Sequence, residues 1–258
     1  MFTVLVTSQS RPSPTREKTV CCVLFLLLSL NALAQSQVTR QSLQWTRYYL
    51  SLRIDDNQRI RQEVEWRSYW FPWRRHQALT RTHWEYRWNE KVRAAAGFSY
   101  FVHHRPHDPR AENFQAVQEL RPKVELAFRQ MLKPALHLSH RYWLEGRFFE
   151  QPTSDIAFEH IRFRYRALLQ YEMEERWTAS LFGEIHLQAP LLGNVQIFDQ
   201  TRAGLSLRYQ FTRHWGTELS YIHWFQQRAA LERFYERHII RLTLHHTLQF
   251  QHSDAASQ

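Results

Sequence analysis

Three arginines spaced two apart, Arg162, Arg164 and Arg166, form the densest run of one charge in the sequence that could meet a ligand. On an extended strand these positions share one face, and guanidinium groups bind carboxylates and phosphates well. Other reactive residue types are scattered: His137-x-Ser139-His140, His103-His104 with His107 and Asp108, and His245-His246. His137 and Ser139 would also share a strand face, the arrangement in which an imidazole activates a hydroxyl nucleophile. No Asn or Asp follows where a partner orienting the histidine would be expected, so no catalytic residue is assigned and lipid hydrolysis is the remote alternative. His103, His104, His107 and Asp108 are metal-ligand types, but loop histidines are mostly solvated; neither a metal nor a cofactor is expected.

The elements that must position these residues are strands. Ile60, Gln62, Val64, Trp66, Ser68 and Trp70 alternate with Arg59, Arg61, Glu63, Glu65, Arg67 and Tyr69. A helix would smear the apolar set around its cylinder, whereas a strand puts each set on one side. The same period recurs in Ala78 to Trp88, in Val92 to Val102, and in Ile161 to Tyr171, where the arginine stripe lies. The pattern predicts strands at 43–54, 58–70, 78–88, 92–102, 114–129, 134–149, 158–171, 177–187, 199–210, 215–225 and 237–250. Most exceed the roughly five or six residues of soluble strands and reach the roughly nine to eleven that cross a bilayer at a tilt. Short connections, such as Asp55-Asp56-Asn57 and Asn89-Glu90-Lys91, alternate with longer ones, such as Phe71 to Gln77 and His103 to Asn113. Short periplasmic turns and long outer loops mark an all-β, antiparallel up-and-down transmembrane β-barrel. Bacterial barrels of one chain carry even strand numbers, so about 12 strands are expected, within 10–12, with residues 36–42 as the source of one more. Pro122 has no N–H to give a central strand, so the fifth strand is expected to start after it or to bulge there.

The N-terminus points to export. Val20 to Leu30 is an uncharged apolar run, preceded by Arg16 and Lys18 and followed by Asn31-Ala32-Leu33-Ala34. That is the layout of a signal peptide cleaved after Ala34, and the run is too short for a membrane-spanning helix of roughly 20 residues. The expected organisation is a signal peptide at 1–34, a barrel at 35–250 and a polar tail at 251–258. Cys21 and Cys22 leave with the signal, so the mature chain has no disulfide or thiolate site. Three basic residues (Arg11, Arg16, Lys18) and Glu17 leave too, so 34 − 3 = 31 basic against 24 − 1 = 23 acidic residues give a mature charge of +8.

Aromatic residues near strand ends suit a lipid-facing girdle: Trp45, Tyr48, Trp70, Trp84, Tyr86, Trp88, Tyr100, Tyr142, Trp177, Tyr209 and Tyr221 are placed there. The competing arrangement is a soluble sandwich with aromatics in its core, whose opposite faces should be mixed rather than dense in Arg and Glu. A nucleic-acid-binding sheet would interleave aromatic and basic residues, and here they segregate, so nucleic acid is not an expected partner.

Trp45, Gln118-Glu119-Leu120-Arg121, Arg141-Tyr142-Trp143-Leu144-Glu145-Gly146-Arg147-Phe148, Phe182-Gly183-Glu184-Ile185, and Phe198-Asp199-Gln200-Thr201-Arg202 with Leu207-Arg208-Tyr209 stand in a telling order. In them the chain resembles the bacterial family known as domain of unknown function 2490, over nearly all of its mature length. The most specific piece is the R-x-x-L-E-x-R-F pattern at 141–148; Gly146 and Gln200-Thr201 depart from the family's usual polar choices. The resemblance implies an outer-membrane β-barrel and adds no mechanism.

The alternation then assigns a lumen. Candidate lining residues are Arg61, Glu63, Glu65, Arg67, Arg81, Glu85, Arg87, Glu119, Arg121, Arg141, Glu145, Arg147, Arg162, Arg164, Arg166, Glu184, Arg202 and Arg208. With Arg59, Arg93, Lys123, Arg241, Glu125 and Glu218 added, sixteen basic residues face eight glutamates. A salt-bridge ladder closing the barrel and an anion-favouring pore both fit, and Arg162, Arg164 and Arg166 fit a ladder only if Glu184 folds toward them. The expected protein is a monomeric outer-membrane barrel, a narrow pore or binding lumen for small anionic solutes, with a structural or assembly barrel whose lumen is plugged as the alternative. Its expected surroundings are membrane lipid, the barrel-assembly machinery, and lipopolysaccharide phosphates met by Arg74, Arg75, His76, Arg105 and Arg110.

Overall fold

Strict alternation of charged and apolar residues makes each strand two-faced, and a closed barrel satisfies both faces while leaving no edge. The computed structural model describes residues 37–190, 197–228 and 233–250. The signal peptide assigned to 1–34, with both cysteines, and the tail at 251–258 lie outside the described residues. The strands are β1 (Gln37–Arg53), β2 (Gln58–Tyr69), β3 (Arg74–Arg87), β4 (Val92–Arg105), β5 (Gln115–Lys133), β6 (Leu136–Glu150), β7 (Ile156–Glu174), β8 (Trp177–Pro190), β9 (Phe198–Gln210), β10 (Trp215–Gln227) and β11 (Arg233–Gln249). Each pairs with its sequence neighbours, and β1 closes on β11.

All eleven expected strands are present, and the described residues form no twelfth. Residues 37–42 extend the first strand rather than forming another. With every sequential pair antiparallel, an odd number leaves the first and last strands pointing the same way. β1 and β11 therefore pair in parallel, from Gln37↔Arg233 to Arg53↔Gln249. Pro122 neither starts β5 nor bulges it. It keeps its place opposite Phe98 of β4, while the β6 ladder skips from Leu120↔Phe148 to Lys123↔Glu145 without changing register. The missing N–H falls in that gap, beside Gly146.

The connections are shorter than the alternation implied, because strands run into the expected loops. Arg74, Arg75 and His76 belong to β3, and His103 to Arg105 belong to β4. His76 is fully buried, which removes it from any headgroup-facing set. Bulges near the ends explain several shifts of face. His76, Glu159 and Asp199 are each skipped by a neighbouring ladder at the long-loop end, and Leu132 and Met173 at the short-turn end. A bulge re-aims side chains in just this way at barrel rims.

The outward face is a continuous apolar surface: Val64, Phe98, Val124, Leu144, Phe163, Leu181, Leu205, Leu219 and Leu242 are all exposed. Trp84, Trp88, Trp177 and Trp215 stand toward the short-turn end, and Trp66, Trp70 and Trp73 toward the other. Trp45 departs from the expected girdle. It is buried inside the barrel, edge-on to Trp224 at 6.0 Å, because the inward set of β1 is Leu43, Trp45 and Arg47. Polar side chains on the outward face are paired across strands, as in His140 Nδ1 with Tyr165 Oη at 2.8 Å and Tyr48 Oη with His246 Nδ1 at 2.7 Å.

Candidate functional site: a charged lumen with an arginine waist

Most carboxylates deep in the barrel bracket two or more cationic or imidazole side chains. Glu145, 1% exposed, receives Arg162 Nη2 at 2.5 Å and Arg164 Nη1 at 2.7 Å on its two oxygens. Arg162 continues to Asp199 at 3.2 Å, and Arg164 to Glu184 at 2.6 Å. From Glu184 a short hydrogen bond reaches His186, then Gln200 at 3.0 Å, whose carbonyl accepts the Trp224 indole N–H at 2.9 Å. Glu119, wholly buried, takes Arg121, Arg147 and the His103 imidazole at 2.5, 2.5 and 2.6 Å. Glu125 faces Arg61 at 3.1 Å and Arg141 at 3.4 Å, and Glu85 faces Arg59 and Arg61 at 2.5 and 3.4 Å. Glu63 accepts from Arg81 at 3.0 Å, Glu65 from Arg67 at 2.5 Å, and Glu218 from Arg241 at 3.2 Å.

The arginine stripe of β7 is thus largely absorbed. Glu184 does fold toward Arg164, and Arg162 has two acids of its own. Arg166 differs: among the described residues it meets no carboxylate within 4 Å, and its guanidinium lies 4.1 Å from the Phe182 ring centroid. Arg202 is likewise without a carboxylate and stacks on Trp224 at 4.4 Å. Lys123 lies inside without an ion pair among the described residues, and Arg208 is bonded to Gln210 at 2.7 Å.

Among the described residues, two large cavities lie in the interior. One, about 530 Å³, extends toward the short-turn end, where Arg53, Arg59, Gln170 and Thr247 line it. The other, about 300 Å³, extends toward the long-loop end, among Gln77, Arg105, Glu159, Gln188 and Gln227. Arg67, Arg81, Arg164 and Arg202 line both cavities and form a waist between them. Three of the four hold a carboxylate, leaving Arg202 as the waist's unpaired cation among the described residues. The larger cavity is bordered by fifteen Arg or Lys and six Glu side chains, so its field is strongly positive.

Of the residues expected to line the lumen, Arg61, Glu63, Glu65, Arg67, Arg81, Arg141, Arg164, Arg166, Glu184, Arg202 and Arg208 border the larger cavity. Arg121, Arg147 and Arg162 border the smaller one. Glu119 and Glu145 sit behind them as buried anchors, and Glu85 beneath the short-turn rim. Arg87 corrects the expectation. As the last residue of β3 it is exposed at the rim, where it donates to the Asp56 carbonyl at 2.5 Å.

Alternation alone missed Asp199, which the β9 bulge turns inward; the inward histidines His83, His103 and His186 follow the period but were left out of a census that counted only Arg, Lys and Glu. It also missed Arg47 and Arg237, whose strands mix aromatic and charged residues on the inner face. The segment after β4 folds inward at His107: its carbonyl accepts Gln41 Nε2 at 2.7 Å, and its ring packs on His76 and Tyr235. Burial, with the Arg237 cation nearby, pushes the His107 imidazole down to about 2, so it sits there neutral. His137 contacts Glu172 at 3.3 Å, and among the described residues Ser139 makes no hydrogen bond to it, so these two do not form a nucleophile–base pair.

A closed β-barrel with an apolar outside and a basic, ion-paired interior is the class of protein these features define. The chain belongs to the family described as protein of unknown function DUF2490, whose match spans residues 43–235. Among solved structures it is similar to the NanC porin in a rhombohedral crystal form, at 11% identity and a TM-score of 0.45, over 74% of this chain and 88% of that one. It is also similar to the KdgM porin in complex with disordered oligogalacturonate, at 13% identity and a TM-score of 0.42, over 68% of this chain and 81% of that one. No curated protein matches the sequence.

Proposed function

We propose that this protein is a monomeric outer-membrane barrel whose lumen passes or binds small anionic solutes. The observation that carries the reading is the surplus of interior cation: Arg166, Arg202 and Lys123 line the larger cavity without a carboxylate. A ladder built only to close the barrel would leave no such groups, since a buried charge without a partner is costly. Water or an anion in the cavity offsets that cost. The outward apolar belt, its aromatic ends and its paired polar groups support a bilayer around the barrel. The signal-like segment before residue 35 supports export, and with it assembly by the barrel-assembly machinery. Arg74, Arg75, Arg105 and Arg110 at the long-loop end suit lipopolysaccharide phosphates.

Refolded protein in a planar bilayer should give discrete conductance steps, with a reversal potential in a salt gradient that favours anions. Cation preference would contradict the reading. A barrel with no conductance would favour the second reading, a plugged structural barrel, which the inward fold at His107 supports. Fractionation should recover the native protein with the outer membrane, in a form whose electrophoretic mobility changes on boiling; recovery in the soluble periplasm would exclude a membrane barrel.

A further inference from the structure

The outward face carries one cluster that neither the apolar belt nor the lumen explains. His223 of β10 and His238 of β11 are directly opposite in the ladder, and cross-strand partners hold their side chains close together. Glu236 lies two residues before His238, on the same face of β11. One potential ligand atom from each lies within 4.8 Å of the other two. Glu236 Oε1 stands 3.2 Å from His223 Nε2 and 3.9 Å from His238 Nε2.

The surroundings of these three side chains hold their ligand atoms in place. Tyr221 Oη is hydrogen-bonded to His238 Nδ1 at 2.7 Å, which fixes that ring and leaves Nε2 turned toward the carboxylate. Arg40 Nε donates to the other oxygen, Glu236 Oε2, at 2.9 Å, leaving Oε1 toward the two imidazoles. Orientation of ligating imidazoles and carboxylates by outer hydrogen bonds is a hallmark of metal sites. The side chains of His223, His238 and Glu236 are 39%, 43% and 23% exposed and face outward, not into the lumen, within a few residues of the long-loop ends of β10 and β11.

We propose that His223, Glu236 and His238 form a surface site for a divalent transition cation of the zinc type. Two imidazoles and one carboxylate suit Zn²⁺, which binds them in a tetrahedral set with the fourth position open to water or an external ligand. Bound there, the ion would clamp β10 to β11 near the long-loop end, beside the parallel closure.

Isothermal titration of the full-length refolded protein with Zn²⁺ tests this. Wild type should bind one equivalent more than the His223→Ala/His238→Ala variant, reversibly with chelator. Tyr221→Phe should bind about ten-fold more weakly, as expected for loss of an outer hydrogen bond. Co²⁺ should give the intense visible absorption of a tetrahedral site in wild type and lose it in the double variant. Heat-dependent mobility checks that the variants fold; if the double variant does not, His238→Gln serves in its place. Equal stoichiometry in wild type and variant, or no binding in either, would overturn the proposal in favour of a simple histidine–glutamate ion pair.

Discussion

Beside the β1–β11 closure the interior is filled by Leu43, Trp45, Ile222, Trp224 and Ile239, each at most 3% exposed. Across the lumen, from β5 to β9, the same depth is filled by Glu119, Glu145 and Glu184 with the arginines around them. The two walls meet different needs. Parallel pairing is slightly weaker per residue than antiparallel pairing, and the seam joins strands nearly 200 residues apart, which costs more loop entropy to close than a hairpin. Apolar packing on its inner side reinforces it. The charged wall is built from hairpin neighbours with no such deficit and can carry cations for function. The lesson is that the lumen divides its work unevenly: the seam side adds apolar packing to its own charges, Arg47, Arg237 and Arg241, whereas the far side is held almost wholly by ion pairs.

Glu119→Ala should be the most damaging change. It leaves Arg121 and Arg147 without their carboxylate, and breaking a buried ion pair in this way costs about 4 kcal/mol. Urea titration of folding into lipid vesicles would measure it. Glu145→Ala should cost clearly less, because Arg162 keeps Asp199 and Arg164 keeps Glu184. Equal losses would mean the bracketing network is not what stabilises this wall.

On the seam, Ile239→Ala should cost about 3 kcal/mol by opening a cavity in a fully buried site. A negligible loss would show that the closure does not depend on its apolar lining. The outer surface provides a control. Leu205→Arg, at an outward position 57% exposed, should impair folding into lipid by about 2 kcal/mol. Ser180→Arg, which points into the larger cavity, should be tolerated much better. Equal damage at both positions would mean the two faces are not what they are taken to be.

Much of this was legible in the sequence because a barrel writes its structure in a period of two. Arg59 to Tyr69 and Ile161 to Tyr171 alternate so regularly that strand and face could be read together, and the structure keeps both. What alternation could not convey was where it is interrupted. The bulge at Asp199 turns an acid inward and gives Arg162 a second partner, which a strict period assigns outward. Trp45 was misplaced for a related reason: an aromatic near a strand end suits both a girdle and an inner wall, and only closure against β10 and β11 decides. The pairing of the β7 stripe depended on Glu145 and Glu184, contributed by the strands on either side. Charge counting saw the surplus and put it on Arg162, Arg164 and Arg166; of these only Arg166 keeps it, and among the described residues Arg202 and Lys123 share it.

That relocation sets the most direct measurement. Removing the unpaired cations with Arg166→Gln/Arg202→Gln leaves every ion pair of the charged wall intact and should cost little stability. In a planar bilayer with a salt gradient, the reversal potential of this double variant should shift toward zero or to cation preference relative to wild type. An unchanged reversal potential in a folded, conducting double variant would contradict the account, because the cations assigned to the solute would then have no effect on what passes.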